Sequence, residues 1–120
     1  MTKVAAIQMA SGPNVDANLH EAGRLIGQAA GVGAELIVLP ENFAIMGIQE
    51  EDKVAIRESQ GNGPIQKFLS EQAKQNNVWL VGGTIPIECP DPKKIYAACL
   101  LYDNEGNCIE RYDKIHLFDV

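Results

Sequence analysis

Short, nearly continuous apolar runs alternate along this chain with longer stretches in which apolar residues return every three or four positions. That alternation predicts strands joined by helices. Lys3 to Met9 reads as a first strand, with Val4, Ala5, Ala6 and Ile7 as its apolar centre, and Ser11-Gly12-Pro13-Asn14 breaks it. A helix is expected from near Asp16, capped by Asn14 or Asp16, with Leu19, Ala22, Ile26 and Ala29 on one face and Gly31 and Gly33 at its end. Glu35 to Leu39 is the second strand. Its run Leu36-Ile37-Val38-Leu39 is of the kind covered on both faces, and Pro40 stops it. Two strands separated by a helix are expected to lie parallel, with a right-handed crossover.

The segment from Glu41 to Gly63 is less regular, with a short charged helix expected through Glu50 to Arg57. Pro64 at a first helical position opens a better helix, Pro64 to Asn76, whose Ile65, Phe68, Leu69 and Ala73 form one stripe. Val78-Trp79-Leu80-Val81 is then a third buried strand ended by Gly82-Gly83-Thr84, and this second crossover argues for α/β architecture. Ile95 to Tyr102 and Cys108 to Tyr112 flank the turn formers Asp103-Asn104-Glu105-Gly106-Asn107, a hairpin pattern. Pro86, Pro90 and Pro92 mark an exposed loop before it, with Lys93-Lys94 as a solvated face.

Two charged residues stand where strand-forming runs give way to turns. Glu41 follows Pro40 at the carboxyl end of the second strand, the end that faces the ligand crevice in open α/β sheets. Phe43, Ile45 and Met46 would leave its carboxylate poorly solvated. Lys114 stands in Arg111-Tyr112-Asp113-Lys114-Ile115-His116-Leu117-Phe118, which also mixes charge with apolar bulk. The two groups are expected to converge on one largely dry cavity. Phe43 and Met46 are candidates for shaping its substrate pocket, and His116 is read as a structural histidine.

Composition narrows the classes. A length of 120 residues, 46% hydrophobic and 22% charged, suits one globular domain. The net charge of −6 disfavours phosphate backbones and anionic membranes, so neither nucleic acid nor membrane is expected as a partner. No apolar run reaches membrane-spanning length and Met1-Thr2-Lys3 leads straight into a strand, which points to a cytoplasmic protein. Cys89, Cys99 and Cys108 lack paired close spacing, and His20 and His116 lack ligand-spaced partners, so neither disulfides nor a metal site is expected.

The segments Val4-Ala5-Ala6-Ile7-Gln8-Met9, Leu36-Ile37-Val38-Leu39-Pro40-Glu41-Asn42-Phe43 and Tyr112-Asp113-Lys114-Ile115-His116-Leu117-Phe118, with Gly82-Gly83 between the last two, resemble the carbon–nitrogen hydrolases of the nitrilase superfamily. The resemblance covers essentially the whole chain. It implies an α-β-β-α sandwich of which residues 1–120 are an amino-terminal part, about the first half. It also implies a Glu-Lys-Cys triad that cleaves non-peptide carbon–nitrogen bonds of small amides without a cofactor. Folded alone, the chain is expected to expose unpaired backbone and apolar surface on its last strand and so to self-associate or pair with a complementary fragment, and the full-length form is expected to be a homo-oligomer. Glu41 and Lys114 match two members of the triad. The ending from Tyr112 to Val120 is nearest to members acting on deaminated glutathione or on ω-amides of keto acids.

The family's nucleophilic cysteine lies on a strand-to-helix turn beyond the lysine, and no cysteine here has that setting. Cys99 falls inside an apolar strand, Cys108 opens the return strand of the hairpin, and Cys89 sits among prolines. The chain is therefore expected to be inactive by itself unless a cysteine arrives from elsewhere. A non-catalytic α/β module binding a small ligand or partner through the same crevice is the rival reading. A nucleotide-binding doubly wound domain ranks below both, because Ser11-Gly12-Pro13-Asn14 offers one glycine where a phosphate loop needs several.

Overall fold

The computed structural model describes residues 2–47 and 49–114. The elements in chain order are β1 (Val4–Ala6), α1 (Val15–Gly31), β2 (Leu36–Val38), α2 (Glu50–Ala55), α3 (Pro64–Asn76), β3 (Trp79–Val81), β4 (Ile85–Glu88), β5 (Ile95–Tyr102) and β6 (Cys108–Lys114). Strands β1, β2 and β3 pair in parallel, and β5 runs antiparallel to β3, β4 and β6. The outcome is an α/β fold on a mixed sheet.

Local chemistry explains the element ends. Asn14 caps α1, its side-chain oxygen accepting the Ala17 N–H at 3.0 Å. Pro64 opens α3, and the buried Glu58 carboxylate serves that helix as a cap from a distance, accepting the Ile65 N–H at 2.6 Å and the Gln66 N–H at 3.1 Å. A carboxylate at a helix N-terminus satisfies orphan donors and meets the positive end of the dipole. Asn77 ends α3 in the left-handed conformation. In the hairpin turn the Asp103 carboxylate accepts the Asn107 and Glu105 amides at 2.9 and 3.0 Å, and the Asn107 bond first among them holds its carboxyl below the usual range. Ser70 on α3 donates to the Gly106 carbonyl at 2.6 Å, fastening that turn to the helical layer.

Both long helices cover the same face of the sheet. Ala22, Ile26 and Ala29 of α1 and Ile65, Leu69 and Ala73 of α3 join Ile37, Leu80, Leu100 and Tyr102 of the strands in one core. Strand residues alternate between faces, so the register assigns the remainder. Val4, Leu36 and Trp79 form one row across the opposite face, and Ala6, Val38, Val81 and Leu101 form the next. The second and third strands, expected to be covered on both faces, are thus buried on the helical side only: Trp79 is 41% exposed while Leu80 is fully buried. Among the described residues no second layer lies over the apolar rows of the other face.

The proline-marked loop is also corrected, since Ile85–Glu88 is a strand and Pro86 is buried. Pro86 is tolerated because its carbonyl accepts the Glu58 N–H at 3.1 Å, which turns its nitrogen to that same edge. No hydrogen bond to β5 is lost. The second hairpin strand runs on to Lys114, two residues past the expected Tyr112, so Lys114 is aimed by the pleat of a strand and not by a turn.

Leu80→Ala, at a fully buried position in the middle of the sheet, is expected to destabilise the fold by about 2–5 kcal/mol. Urea unfolding of the two proteins measures this, and a loss under about 1 kcal/mol would show that the helical layer does not depend on this contact.

Candidate active site

Pro40 ends β2's run and the chain turns through Glu41 and Asn42, with the Leu39 N–H still held by the Val81 carbonyl at 2.9 Å. The loop that follows is tied to the segment before α1. Ser11 donates to the Phe43 carbonyl at 2.7 Å, and the buried Asn18 amide donates to the Gly12 and Ala44 carbonyls at 2.8 and 2.9 Å. The parallel pairing of β1 with β2 thereby brings the two loops together at the carboxyl end of the sheet.

Lys114 reaches the same place from β6. Its Nζ lies 2.8 Å from Glu41 Oε1, an ion pair between residues 73 apart in sequence. A cleft of about 440 Å³ opens around the pair on the sheet face that carries no helices, lined by Val38, Val81, Thr84, Cys99 and Tyr112. The expected convergence is present. The expected dryness is not, because the Lys114 and Glu41 side chains are 45% and 60% exposed. At that exposure an ion pair contributes about 0–1 kcal/mol to stability.

Phe43 and Met46 do not line this cleft. Phe43 is fully buried in the core, its ring 6.4 Å from that of Phe68, and Met46 is 48% exposed outside the lining. The chain's turn at Glu41 sends Phe43 under the helical layer, where a phenyl ring is better placed than in water. His116 and the rest of the motif after Lys114 lie outside the described residues.

Sequence reasoning passed over Tyr112, Cys99, Val81 and Thr84 as cleft residues. Period-two alternation alone puts Tyr112 beside Lys114 on one face of β6, and the hairpin register then sets Cys99 opposite Tyr112. Burial pushes the Cys99 thiol above its ordinary value, which keeps it protonated and a poor nucleophile at neutral pH. Among the described residues no three His, Cys, Asp or Glu side chains are grouped to hold a metal. A second groove, of about 420 Å³, runs between α1 and α3 past Leu19 and Phe68, but its Arg24 guanidinium is engaged by Glu21, whose carboxyl is lowered by that bond, and it brings no acid and base together.

The sequence pattern of the family described as carbon–nitrogen hydrolase matches residues 3–120. The chain belongs to that family. It is 39% identical to Nitrilase homolog 2 of Dictyostelium discoideum over 98% of this chain and 35% of that protein. A deaminated glutathione amidase of Synechocystis is 39% identical over 97% of this chain and 42% of its own length. An omega-amidase of Xenopus laevis is 33% identical over 98% of this chain and 41% of its own. The chain thus spans well under half the length of these relatives. Among solved structures, the C. elegans NitFhit protein superposes with a TM-score of 0.85 at 26% identity, over 100% of this chain and 30% of that one. A Saccharomyces cerevisiae member of branch 10 of the nitrilase superfamily gives 0.84 at 30% identity, over 96% of this chain and 44% of that one. The α/β architecture is that of the first part of the carbon–nitrogen hydrolase fold, one helical layer on one sheet.

With its thiol raised above the ordinary value of 9.0 by desolvation, Cys99 is expected to react slowly with iodoacetamide near neutral pH and to keep accelerating above pH 9. The rate follows the thiolate fraction. Mass-spectrometric alkylation rates across pH check this, and a plateau below pH 9 would contradict it.

Proposed function

We propose that this chain supplies the general base and the oxyanion-stabilising cation of an amidase-type hydrolase acting on non-peptide carbon–nitrogen bonds. The observation that carries the reading is the 2.8 Å approach of Lys114 Nζ to Glu41 Oε1 in a cleft on the open sheet face. Family membership supports the reaction class.

In this reading a cysteine thiolate attacks the amide carbonyl carbon after Glu41 takes the thiol proton. Negative charge gathers on the carbonyl oxygen, where the Lys114 ammonium lowers its energy. Glu41 returns the proton to the leaving nitrogen, ammonia departs and a thioester remains. Glu41 then draws a proton from water, whose hydroxyl cleaves the thioester to the acid and restores the thiol. Cys99 is unsuited to the nucleophile's part, since it lies mid-strand in β5 and its thiol is held protonated. The thiol is assigned to residues other than those described.

Relatives named deaminated glutathione amidase and omega-amidase support small carboxylate-bearing amides as the substrate class. We assign no metal or cofactor to the reaction and read the protein as cytoplasmic. The test is ammonia release from a keto-acid ω-amide and from deaminated glutathione by the protein its complete gene encodes. Glu41→Gln should lower turnover by about 10²- to 10⁴-fold, and Lys114→Met by about 10²- to 10³-fold. Undiminished turnover in Glu41→Gln would end this reading.

A non-catalytic module that binds a ligand in the same cleft is the second reading, favoured by the setting of Cys99, which is the one cysteine lining the cleft among the described residues and lies mid-strand in β5. It requires ligand retention without ammonia release.

The open face and the edges of the sheet further support self-association. Val4 on β1 is 57% exposed and Tyr112 on β6 is 65% exposed; these two strands are edges of the sheet among the described residues, and apolar residues on edge strands favour pairing with another chain. Sedimentation velocity should show a homo-oligomer, and a compact monomer across the concentration range would count against it.

A further inference from the structure

One extra residue is inserted where β3 passes into β4. Val81 and Ile85 are four apart, yet their partners on β5, Leu101 and Ala98, are three apart. Both strands lie along β5, so Gly82-Gly83-Thr84 is a bulge in a continuous antiparallel ladder, and the Gly82 N–H still reaches the Leu100 carbonyl at 2.8 Å. Gly83 has φ +61, and a Cβ there would stand 2.0 Å from the Pro40 carbonyl oxygen. No side chain fits. The bulge is therefore pressed backbone to backbone against the turn that carries Glu41.

The next residue, Thr84, is 7% exposed and its hydroxyl oxygen accepts the Asn42 N–H at 2.9 Å. Asn42 has φ 56, the left-handed conformation that asparagine tolerates better than most residues. Glu41 stands between Pro40, touched by Gly83, and Asn42, held by Thr84. Its own carboxylate is 60% exposed, so the direction it takes is set by backbone more than by enclosing side chains.

We propose that Thr84 is a positioning residue for Glu41: from the bulge, its hydroxyl holds the Asn42 amide and so sets the direction in which the Glu41 side chain leaves its turn. This rests on the reading of Glu41 as the acid–base group. The arrangement also fixes Glu41 relative to Lys114. Pro86, two residues after Thr84, pairs with Ala97, and Ala97 pairs with Lys114 across the next ladder. Both halves of the ion pair are measured from the same residue of β5.

Thr84→Val keeps the shape and removes the acceptor, and Thr84→Ser keeps the acceptor. The first readout needs no turnover: the ¹³C shift of the Glu41 carboxyl, in this chain, with and without Lys114→Met. In wild type and Thr84→Ser that substitution should move the Glu41 signal, and in Thr84→Val the response should be lost or much reduced. An undiminished response in Thr84→Val overturns the proposal. In the protein from the complete gene, Thr84→Val should lower kcat about tenfold or more with KM within about twofold, since small misplacements of a reacting group are felt in kcat, and Thr84→Ser should restore it. Equal kcat in Thr84→Val and wild type overturns the proposal as well. If Thr84→Val does not fold, amide hydrogen exchange of the wild type decides: Asn42 should be protected, and free exchange of that amide refutes the bond. Full activity in Glu41→Gln would sink the catalytic reading and leave the carboxyl shifts to judge Thr84 separately.

Discussion

Strand β5 is hydrogen-bonded along both edges, and the geometry of the cleft follows from that. One edge carries β3 and β4 in succession and the other carries β6, so the bulge beneath Glu41 and the strand bearing Lys114 share one reference. Adjacent strands lie about 4.8 Å apart. The lysine side chain from β6 and the glutamate side chain from the turn after β2 together span the strands between them, and the ammonium meets the carboxylate at 2.8 Å. Antiparallel pairing of β5 with a sheet that began parallel makes this possible, because it brings the late segment Cys108–Lys114 back beside elements formed long before it in the chain.

Helices on one side alone give the sheet two unlike faces. The Ile37 and Leu80 side is closed by α1 and α3 into a core without exposed bulk, and the core therefore sets the fold's stability. The Val38, Val81 and Leu101 side keeps apolar rows in partial contact with water and holds the cleft. Core and cleft are thus divided between faces. A residue of β2 or β3 belongs to one or the other according to whether its position is odd or even in the register.

Much of this was legible in the residues. The stripe Ile65, Leu69, Ala73 with Pro64 before it and Asn77 after it specifies α3 at the positions observed, because period, start signal and stop signal agree. The turn formers 103–107 likewise announce the hairpin. Strand β4 was hidden because Pro86 argues against pairing, and only the tertiary fact that its nitrogen faces the Glu58 edge makes it harmless. Glu41 and Lys114 stood out as charges among apolar neighbours, whereas Phe43 misled: proximity in sequence to a site says nothing about which side of the turn a side chain takes. Thr84 carries no signal in a single sequence, since the role proposed for it rests on a partner 42 residues away.

The same ion pair would mean different things under different solvation. At 4 Å two unit charges attract by roughly 1 kcal/mol in water and about 4 kcal/mol at an effective dielectric near 20. With Glu41 60% and Lys114 45% exposed, the pair sits near the first limit, and screening weakens it further. Whatever comes to cover the apolar rows beside the cleft, substrate included, raises the interaction toward the second limit without moving either group. It also takes water from a carboxylate and an ammonium that already face each other. In the proposed reaction, preorganised charges of this kind would need little rearrangement when an amide carbonyl arrives, which is the condition under which a fixed cation favours an oxyanion over its neutral precursor. Rigidity in β5 and in the turn after β2 would therefore matter more to the proposed chemistry than the small stability the pair itself confers.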